Sequence, residues 1–391
     1  MKENLICLLS LLLLCSCDNK KLEDNRIVES LSVPLEPVSD HEKLSEIASD
    51  VHYISLETND NALIDAIVRV IQQDSLVYVA DRSRVYKYNQ NGGLIATLSK
   101  SGAGPDQYTN ISDFEVDAAG NVFVLSRSDR RLYKYGAENN LLDKIDFDCW
   151  VSNIRLAGEN TIFLYVGNET EGSNNRQLQQ LDLSTHKISA SFLEIDSRKS
   201  KYMHVKSDNY FSGGGGDTCS YFFQQFNDTI YKLSPHTGLS PAFYMDIANN
   251  NIPTSFFNRE YRDIMDFFQN VSKNGYAYGS SLFAENPTSY LFSFYKLGQC
   301  YMALVPKGRE NKSHLFKGIK DDVRLFGYPI ELNDLKMFMQ RNGDLMVVLS
   351  PSEIFAYASE RLSNEDNVLL NKMFKSNDED QNPILLSIRL K

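Results

Sequence analysis

The sequence predicts an all-β protein: a six-bladed β-propeller closed by N- and C-terminal strands, with short helical insertions on one face. Three observations predict this fold. Short β-rich runs recur along the chain, a Tyr-Lys-(Tyr/Leu) element returns in successive repeats, and glycine-containing turns separate the runs. The 391 residues are 42% hydrophobic and include 22 Phe and 21 Tyr, a composition that is typical of a globular chain with a large core.

The repeating unit alternates apolar and polar residues, which is the pattern of a half-buried strand. Its signature element occurs at Tyr86-Lys87, Tyr133-Lys134, Tyr231-Lys232 and Tyr295-Lys296. The first repeats are spaced by about 40–50 residues, which is the length of a four-stranded propeller blade. A β-helix would need shorter and more uniform repeats, and a β-sandwich would not repeat the element.

Each blade is predicted to begin with an innermost strand, and the last blade is predicted to take strands from both chain ends. Residues 51–56 are expected beside residues 383–390, because neither terminal segment completes a sheet alone. Residues 27–35 are expected to add an edge strand. The six innermost strands are placed at residues 67–71, 112–117, 151–156, 202–205, 268–271 and 335–339.

The strands of a blade run up and down, and this order assigns every connection to one of two faces. All the long connections are expected on the same face, where they would carry a ligand or partner site. The alternative is that they only cover the mouth of the propeller. Residues 254–271 and 359–374 have apolar side chains at helical spacing, which predicts helices on this face. The long segments are 102–110, 167–176, 213–219, 249–267, 280–288, 306–334 and 351–382.

The N-terminus has the pattern of an export signal. An apolar run at residues 5–14 is too short to span a bilayer and is typical of a signal peptide. It ends in Leu14-Cys15-Ser16-Cys17, which resembles the lipobox of bacterial lipoproteins. The resemblance implies cleavage before Cys17 and lipidation of that residue, whose thiol takes a diacylglycerol with acyl chains such as palmitate. An ordinary signal peptide with incidental cysteines is the alternative.

These features predict the organisation of the chain and its address. We expect a signal peptide at residues 1–16, a lipidated cysteine and polar tether at 17–26, and a single propeller domain at 27–391. Acyl chains anchor a protein in a membrane without a spanning helix. The expected location is the cell envelope, at the outer membrane, facing the periplasm or the cell surface.

Several segments of the chain resemble a known family. They are His-Tyr-Ile-Ser-Leu-Glu-Thr at residues 52–58, Gly-Ala-Gly-Pro at 102–105 leading to Ile-Ser-Asp at 111–113, residues 117–122 and residues 227–231. Together with the lipobox, they are similar to six-bladed β-propeller lipoproteins of Gram-negative anaerobes, relatives of NHL-repeat propellers. The resemblance covers most of the mature chain and implies its fold, but it implies no catalytic residues.

The charge of the chain limits which classes of partner it can bind. The chain has 40 Lys and Arg against 51 Asp and Glu, a net charge of −11, without a basic cluster. This excludes nucleic acid as a partner and argues against electrostatic docking on anionic lipid.

Cys149, Cys219 and Cys300 are expected as buried free thiols, and one disulfide with a spare thiol is the alternative.

The innermost strands carry charged residues at equivalent positions, Arg69, Glu115 and Arg155. They would line the axial channel and face a ligand or, alternatively, pair with a neighbouring blade, since unpaired buried charge is costly. Trp150 is the only Trp and would suit a sugar ring, although a lone Trp is more often part of a core. With residues placed nearer the rim, the ligand-binding candidates are Arg69, Asp113, Glu115, Trp150, Asn153, Arg155 and Lys336.

Motifs for catalysis or cofactor binding are weak. Asp113, Glu115 and Asp117 share one strand face and could serve a glycosidase or hold Ca²⁺, but Asp117 falls at a turn away from the other two. The glycine run at residues 213–216 lacks the Lys-Ser/Thr ending of a phosphate-binding loop and is expected as a flexible loop between a second and a third strand. We therefore expect no catalytic residue, no metal site and no cofactor.

The sequence thus favours a non-catalytic binding or scaffolding propeller for a glycan, a peptide or an envelope protein. Rigid display of loops limits the entropy lost on binding. The alternative is a propeller lyase or hydrolase that acts on an extracellular polymer. A third possibility is an assembly component, which would expose a large apolar patch.

Overall fold

The structure is a computed structural model that describes residues 28–33, 35–203, 210–213, 220–308, 313–333, 336–374 and 381–391. The predicted signal peptide, Cys17 and tether lie outside the described residues, as does Cys219. In the described ranges, the strands form seven sheets arranged as the blades of a β-propeller. The predicted all-β propeller is therefore confirmed, whereas the predicted count of six blades is wrong. We number the blades 1 to 7 by the order of their first main strands.

The N-terminal segment runs along the outer edges of blades 4, 5 and 6 before it joins blade 7. Its first three strands each pair in parallel with an outer strand, so the edge strand predicted at residues 27–35 is confirmed. Added edge strands of this kind cover backbone groups that would otherwise invite pairing with another chain. The elements are β1 (Glu29–Ser32), β2 (Val38–Ser39), β3 (Glu42–Lys43), α1 (Leu44–Ile47) and β4 (Ala48–Ser55).

Blades 1 to 3 are regular four-stranded antiparallel sheets. Their third strands show why the Tyr-Lys element repeats: Tyr86 and Tyr88 are buried against a neighbouring blade, while Lys87 between them is half-buried. Blade 1 is β5 (Arg69–Gln73), β6 (Leu76–Ala80), β7 (Arg84–Asn89) and β8 (Leu94–Ser99); blade 2 is β9 (Asp113–Val116), β10 (Val122–Ser126), β11 (Arg131–Tyr135) and β12 (Leu141–Asp146); blade 3 is β13 (Asn153–Leu156), β14 (Thr161–Tyr165), β15 (Arg176–Asp182) and β16 (Lys187–Glu194).

Blades 4 and 5 each have four antiparallel strands and one parallel edge strand, β1 or β2. A helical insertion separates the two blades, as predicted for residues 254–271. The elements are α2 (Ser197–Ser200), β17 (Phe211–Gly213), β18 (Ser220–Phe222), β19 (Thr229–Ser234), β20 (Gly238–Asp246), a 3-10 helix (Thr254–Asn258), α3 (Ile264–Lys273), β21 (Ala277–Glu285), β22 (Ser289–Lys296), β23 (Gln299–Pro306) and β24 (His314–Phe316).

Blade 6 is a small three-stranded sheet, and blade 7 closes the ring. In blade 7 the C-terminal strand pairs with β4, with Ile384 opposite Ser55 and Ile388 opposite Val51, so the predicted meeting of the chain ends is confirmed. The helices predicted at 359–374 are a pair. The elements are β25 (Gly318–Asp321), β26 (Tyr328–Glu331), β27 (Met337–Met339), β28 (Leu345–Leu349), α4 (Pro351–Arg361), α5 (Asn364–Phe374) and β29 (Ile384–Leu390).

The sequence missed blade 6 because its strands are short and come from distant parts of the chain. β3 contributes two residues from the N-terminal segment, and β25 and β26 lie within a segment that was predicted to be one connection. Buried apolar residues hold this sheet against α1 and blade 7; they include Leu44, Ile319 and Ile330. An isolated run of four residues gives too little periodicity to identify a strand.

The first strands of six blades lie side by side around the axis. β5 contacts β9, β9 contacts β13, β17 contacts β21, β21 contacts β27, and β27 contacts β5. β17 also contacts β27, and a Cβ added to Gly213 would lie 2.1 Å from the carbonyl oxygen of Gln340. At this level the propeller centre is therefore packed with backbone.

Strand order defines two faces. The elaborated face carries the connections between second and third strands and those between successive blades; the turn face carries the others. Residues 100–112, 166–175, 247–276 and 350–374 lie on the elaborated face, as predicted. The segment predicted there at 280–288 does not lie on this face, because it spans the end of β21 and the link from this first strand to the second strand, β22. Of the segment predicted at 213–219, residues 214–219 lie outside the described residues.

The error has a local cause in each blade. In blade 4 the innermost strand is only three residues long, and the residues predicted for it, 202–205, precede it. Tyr202 instead stacks on Phe267 of α3, with ring centroids 4.0 Å apart. In blade 5 the residues predicted as innermost strand, 268–271, belong to α3, so every following strand was displaced by one position.

Candidate functional site

Five of the predicted ligand-binding candidates meet at the propeller axis. Arg69, Asp113, Glu115, Asn153 and Arg155 come from the first strands of blades 1, 2 and 3, and each is no more than 9% exposed. Because first strands converge on the axis, residues at equivalent positions of adjacent blades are brought together there. The equivalence inferred from the sequence repeats is thus realised in space.

Glu115 is the centre of this axial cluster. Its Oε1 accepts hydrogen bonds from Arg69 at 2.7 Å and from Arg155 at 3.4 Å. Its Oε2 accepts one from Arg341, which enters from the turn between β27 and β28. Burial opposes ionisation of Glu115, but the three guanidinium groups outweigh it and lower its pKa to about 2.

Asp113 lies beside Glu115 and is held by a different set of donors. It accepts from Arg69 Nη1 at 3.0 Å, from the backbone N–H of Ile154 at 2.8 Å and from the amide of Asn153 at 3.4 Å. Burial raises the pKa of Asp113 despite these contacts. Asp117, the third acidic residue of the predicted trio, caps the turn after β9 by accepting from the backbone of Ala119.

The axial cluster has more positive than negative charge. Arg69, Arg155 and Arg341 face two carboxylates, a balance of three against two. Burial lowers the pKa of Arg155 to about 10, so its guanidinium stays charged at neutral pH. The sequence left two alternatives for these residues, contact with a ligand in the axial channel or ion pairing with a neighbouring blade. The structure shows ion pairing across blades. Their role as ligand contacts stays a prediction.

The other two candidates, Lys336 and Trp150, lie away from the axial cluster. Lys336 donates from Nζ to the backbone oxygen of Ile67, and so joins blade 7 to blade 1. Trp150 is half-buried on the elaborated face, where the guanidinium groups of Arg127 and Arg130 lie over its ring. Trp150 is therefore not part of the buried core, which was the alternative for a lone Trp.

A pocket of about 180 Å³ opens on the elaborated face between blades 3 and 4. It is lined by the start of β15, the end of β16, α2 and the loop between β18 and β19. Four side-chain amides face it, and three of them belong to residues at most 7% exposed. The amide-bearing residues are Gln177, Gln224, Gln225 and Asn227.

The amides of the pocket are partly connected and partly free. Gln224 donates to Oε1 of Gln177 at 2.9 Å, and Gln177 donates to Asn168 at 3.4 Å. Oε1 of Gln224 is buried and has no hydrogen-bond partner among the described residues. An unsatisfied buried acceptor costs on the order of 1–3 kcal/mol.

Charged residues of both signs border the same pocket. Lys199 of α2 donates to the backbone oxygen of Phe226 at 2.7 Å, and burial lowers the pKa of this lysine. Asp196 caps α2 by accepting from the backbone of Arg198 at 2.9 Å. The hydrogen bonds from Arg198 lower the pKa of Asp196. The pocket therefore offers a basic and an acidic side chain as well as amides.

Phe226 fixes the loop that carries the two buried glutamines. Its backbone has φ of +60°, a left-handed conformation that is rare and costly for a bulky residue. The ring is inserted into an aromatic cluster formed by the helical insertion and β21, 5.5 Å from Phe257, 5.6 Å from Phe267 and 5.3 Å from Tyr278 between centroids. Packing of the insertion therefore sets the position of the pocket loop.

The sequence did not identify this pocket, although one signal was present. Residues 222–226 read Phe-Phe-Gln-Gln-Phe, and two adjacent amides between aromatic residues do not fit the alternation of a strand. Gln177 lies 47 residues upstream of Gln224. Only the packing of blade 3 against blade 4 brings them together.

Three further features of the described residues concern metal-ligating groups, cysteine thiols and membrane-spanning helices. In the part of the chain that the structure describes, no group of three or more His, Cys, Asp or Glu side chains could hold a metal ion. Cys149 and Cys300 are buried free thiols. No helix among the described residues has the length and apolar character needed to cross a membrane.

Sequence comparison identifies a family for the whole propeller. The family described as "Domain of unknown function (DUF4934)" matches residues 32–389. The chain belongs to the DUF4934 family. The matched range begins inside β1 and ends inside β29, so this DUF4934 domain includes the closure of the ring. No functionally curated protein matches the chain.

The solved structures that are similar to this DUF4934 chain are distant from it in sequence. A putative exported protein from Bacteroides fragilis is similar with a TM-score of 0.72 and 16% identity, over 92% of this chain and 100% of that one. A DUF4221 family member from Bacteroides vulgatus gives a TM-score of 0.46 and 11% identity, over 88% and 97% of the two chains. A virginiamycin B lyase from Staphylococcus aureus gives 0.40 and 12%, over 76% and 81%. The first likeness supports the propeller fold.

Proposed function

We propose that this protein is a lipid-anchored propeller of the bacterial cell envelope that binds a carbohydrate in the pocket between blades 3 and 4. Binding, and not catalysis, is the proposed activity. The observation that carries the proposal is the amide-lined pocket on the elaborated face. The anchor is the lipobox-like Cys17, and the proposed location is the outer membrane.

The chemistry of the pocket favours a sugar ring over other neutral ligands. Each side-chain amide offers two donors and an acceptor, and a sugar hydroxyl offers one donor and two acceptors. A ring of hydroxyl groups can therefore exchange hydrogen bonds with the amides of Gln177, Gln224 and Gln225 at once. A pocket with a few fixed polar groups on a rigid scaffold is the usual form of a small-ligand site.

The envelope location is supported by the N-terminal pattern and by one structural likeness. Residues 5–17 have the spacing of a lipoprotein signal. The similar propeller from Bacteroides fragilis is described as a putative exported protein. Metabolic labelling with an alkynyl fatty acid tests this part: the wild-type chain should be labelled, Cys17→Ser should not, and labelling of that variant would refute the anchor.

Carbohydrate binding is tested with the full chain, purified in detergent, on an array of bacterial and plant glycans. Hits are then measured by calorimetry with Gln224→Leu, which removes an amide from the pocket. We expect at least a tenfold loss of affinity. Gln180→Leu is the matched control, since Gln180 lies on the same strand as Gln177 but donates to Pro235 near the turn face. Equal affinity of the wild type and Gln224→Leu would refute the assigned site.

A further inference from the structure

A second feature of the elaborated face is a basic platform formed by Arg127, Trp150 and Arg130. The guanidinium carbon of Arg130 lies 4.4 Å from the centroid of the Trp150 ring, and that of Arg127 lies 5.6 Å from it. The arginines come from the turn between β10 and β11, and Trp150 comes from the connection between blades 2 and 3. A guanidinium over an aromatic face is held in place and keeps its edge N–H groups available.

The platform is held in one geometry by the backbone. Arg130 has φ of +50°, its N–H donates to the carbonyl oxygen of Arg127 at 3.1 Å, and its own carbonyl accepts from Phe147 at 2.8 Å. A left-handed conformation at a non-glycine residue is uncommon and persists when surrounding contacts enforce it. The turn therefore places both arginines toward the ring of Trp150 before any ligand arrives.

The charges of the platform are available to a ligand. Among the described residues Arg130 forms no ion pair, and its guanidinium donates only to the backbone oxygen of Asp148, at 3.5 Å. Arg127 pairs with Glu169 at 3.0 Å, but both side chains are well exposed, 45% and 39%. An exposed pair of this kind is weak, so a better acceptor can replace it.

One loop links the platform to the amide-lined pocket. Glu169 contacts Arg127 of the platform, and the preceding residue, Asn168, accepts from Gln177 of the pocket at 3.4 Å. Asn168 also donates to the backbone of Ser200 at 3.0 Å, beside α2. Since consecutive Cα atoms are about 3.8 Å apart, the platform and the pocket lie within the span of a short oligosaccharide.

We propose that the carbohydrate bound by this protein is acidic, with a carboxylate that docks on Arg127 and Arg130 while a neighbouring sugar ring fills the pocket. The inference rests on the proposed function. Planar, bidentate contacts between guanidinium and carboxylate are strong and directional. The chain has a net charge of −11, so attraction of an acidic polymer requires a local basic site of this kind and not a general electrostatic field.

The test uses the full chain in detergent and matched pairs of oligosaccharides: oligomers of galacturonate, glucuronate and mannuronate, each beside its carboxyl-reduced counterpart. Affinity is measured by calorimetry, and binding at the platform is followed by the emission of Trp150, the only tryptophan. We expect at least one acidic oligomer to bind tenfold more tightly than its reduced counterpart, with weaker binding at high salt. That oligomer should also change the emission of Trp150.

Two variants separate the platform from the pocket. Arg130→Gln should abolish the preference for the acidic oligomer and leave binding of the neutral one unchanged. Arg262→Gln removes an exposed charge elsewhere on the same face and should change neither. Equal affinity for acidic and neutral oligomers, both weakened by Gln224→Leu, would overturn this inference and leave the proposed function intact. If no oligomer bound, here or on the array, both would fall.

Discussion

The strongest prediction for stability concerns the carboxylate at the centre of the axial cluster. Glu115 is fully buried and is contacted by three arginines from blades 1, 3 and 7. The substitution Glu115→Gln keeps the size of the side chain and removes its charge. Arg69 and Arg155 are then left in the protein interior with only Asp113 to balance them.

The magnitude follows from the pKa of Glu115, which falls from an ordinary value of 4.5 to about 2 in the folded protein. The difference of about 2.5, multiplied by ~1.36 kcal/mol, gives about 3 kcal/mol of stability. Loss of one partner from a buried ion pair typically costs about 3–5 kcal/mol. We therefore expect Glu115→Gln to lose about 3–5 kcal/mol of unfolding free energy at pH 7.

The pH dependence has a definite sign. Because the folded pKa of Glu115 is lowered, its stabilisation is present above pH 4.5 and is lost as the pH falls toward 2. Asp113 acts in the opposite direction, because its pKa is raised by burial and its protonation relieves that cost. Comparison of the wild type with Glu115→Gln cancels the contribution of Asp113 to first order.

The assay is urea unfolding followed by circular dichroism at pH 7 and at steps down to pH 2. The gap between wild type and Glu115→Gln should narrow as the pH falls below 4.5. The control is Glu138→Gln, an identical substitution at an exposed position of the same blade, which should unfold like the wild type. A loss below about 1 kcal/mol at pH 7, or a gap that does not change with pH, would refute the reasoning.

Two further predictions concern backbone conformation and thiol reactivity. Gly92 has φ of +85°, and an added Cβ would lie 1.9 Å from a carbonyl oxygen of β4. Gly298 has a similar φ of +77°, but the space around it is open. Gly92→Ala should therefore lower the unfolding free energy more than Gly298→Ala. Thermal unfolding measures both, and equal losses would contradict the close approach. The second prediction uses a variant in which the other four cysteines, Cys7, Cys15, Cys17 and Cys219, are replaced by Ser. In this variant Cys149 and Cys300 should react with Ellman's reagent only after unfolding, because burial raises both thiol pKa values. Rapid reaction of the folded protein would contradict this.

The propeller and its closure could be predicted because both depend on strands that show the apolar–polar alternation within short segments of sequence. The Tyr-Lys element identifies the third strands of blades 1, 2 and 4, where tyrosines such as Tyr86 and Tyr88 must face a neighbouring blade and the intervening lysine must not. In blade 5 the same element lies in the second strand, β22. Closure followed from an unpaired β-pattern at each end, near Val51 and Ile388. Patterns of this kind need only the two-residue period of a strand.

What the sequence could not predict depends on tertiary contacts. The strand β17 has three residues and no detectable period, and its place beside β27 is set by the close approach of Gly213 to Gln340. The helix α3 has a strand-like apolar run near Phe268, and only the aromatic cluster around Phe267 decides its state. At these two places the strands of blades 4 and 5 were assigned wrongly. The blade count was wrong for another reason, because the short strands of blade 6 were missed.

The same distinction between local pattern and tertiary contact applies to the candidate site residues. Arg69, Glu115 and Arg155 were brought together correctly by the repeat, since equivalent positions on first strands converge. The pocket was missed because Gln177 and Gln224 occupy different parts of different blades, at the start of a third strand and in a loop. No repeat relates such positions, and only the packing angle between adjacent blades makes them neighbours.

The direction of β1 has a mechanical consequence. β1 runs parallel to β20, which leads from the turn face toward the elaborated face, with Glu29 opposite Phe243 and Ser32 opposite Asp246. A pull on the chain ahead of Glu29 therefore acts along the strand, so the hydrogen bonds to β20 resist together in shear and do not open one at a time. A protein attached through the chain ahead of Glu29 would have its turn face toward the point of attachment and its amide-lined pocket facing outward.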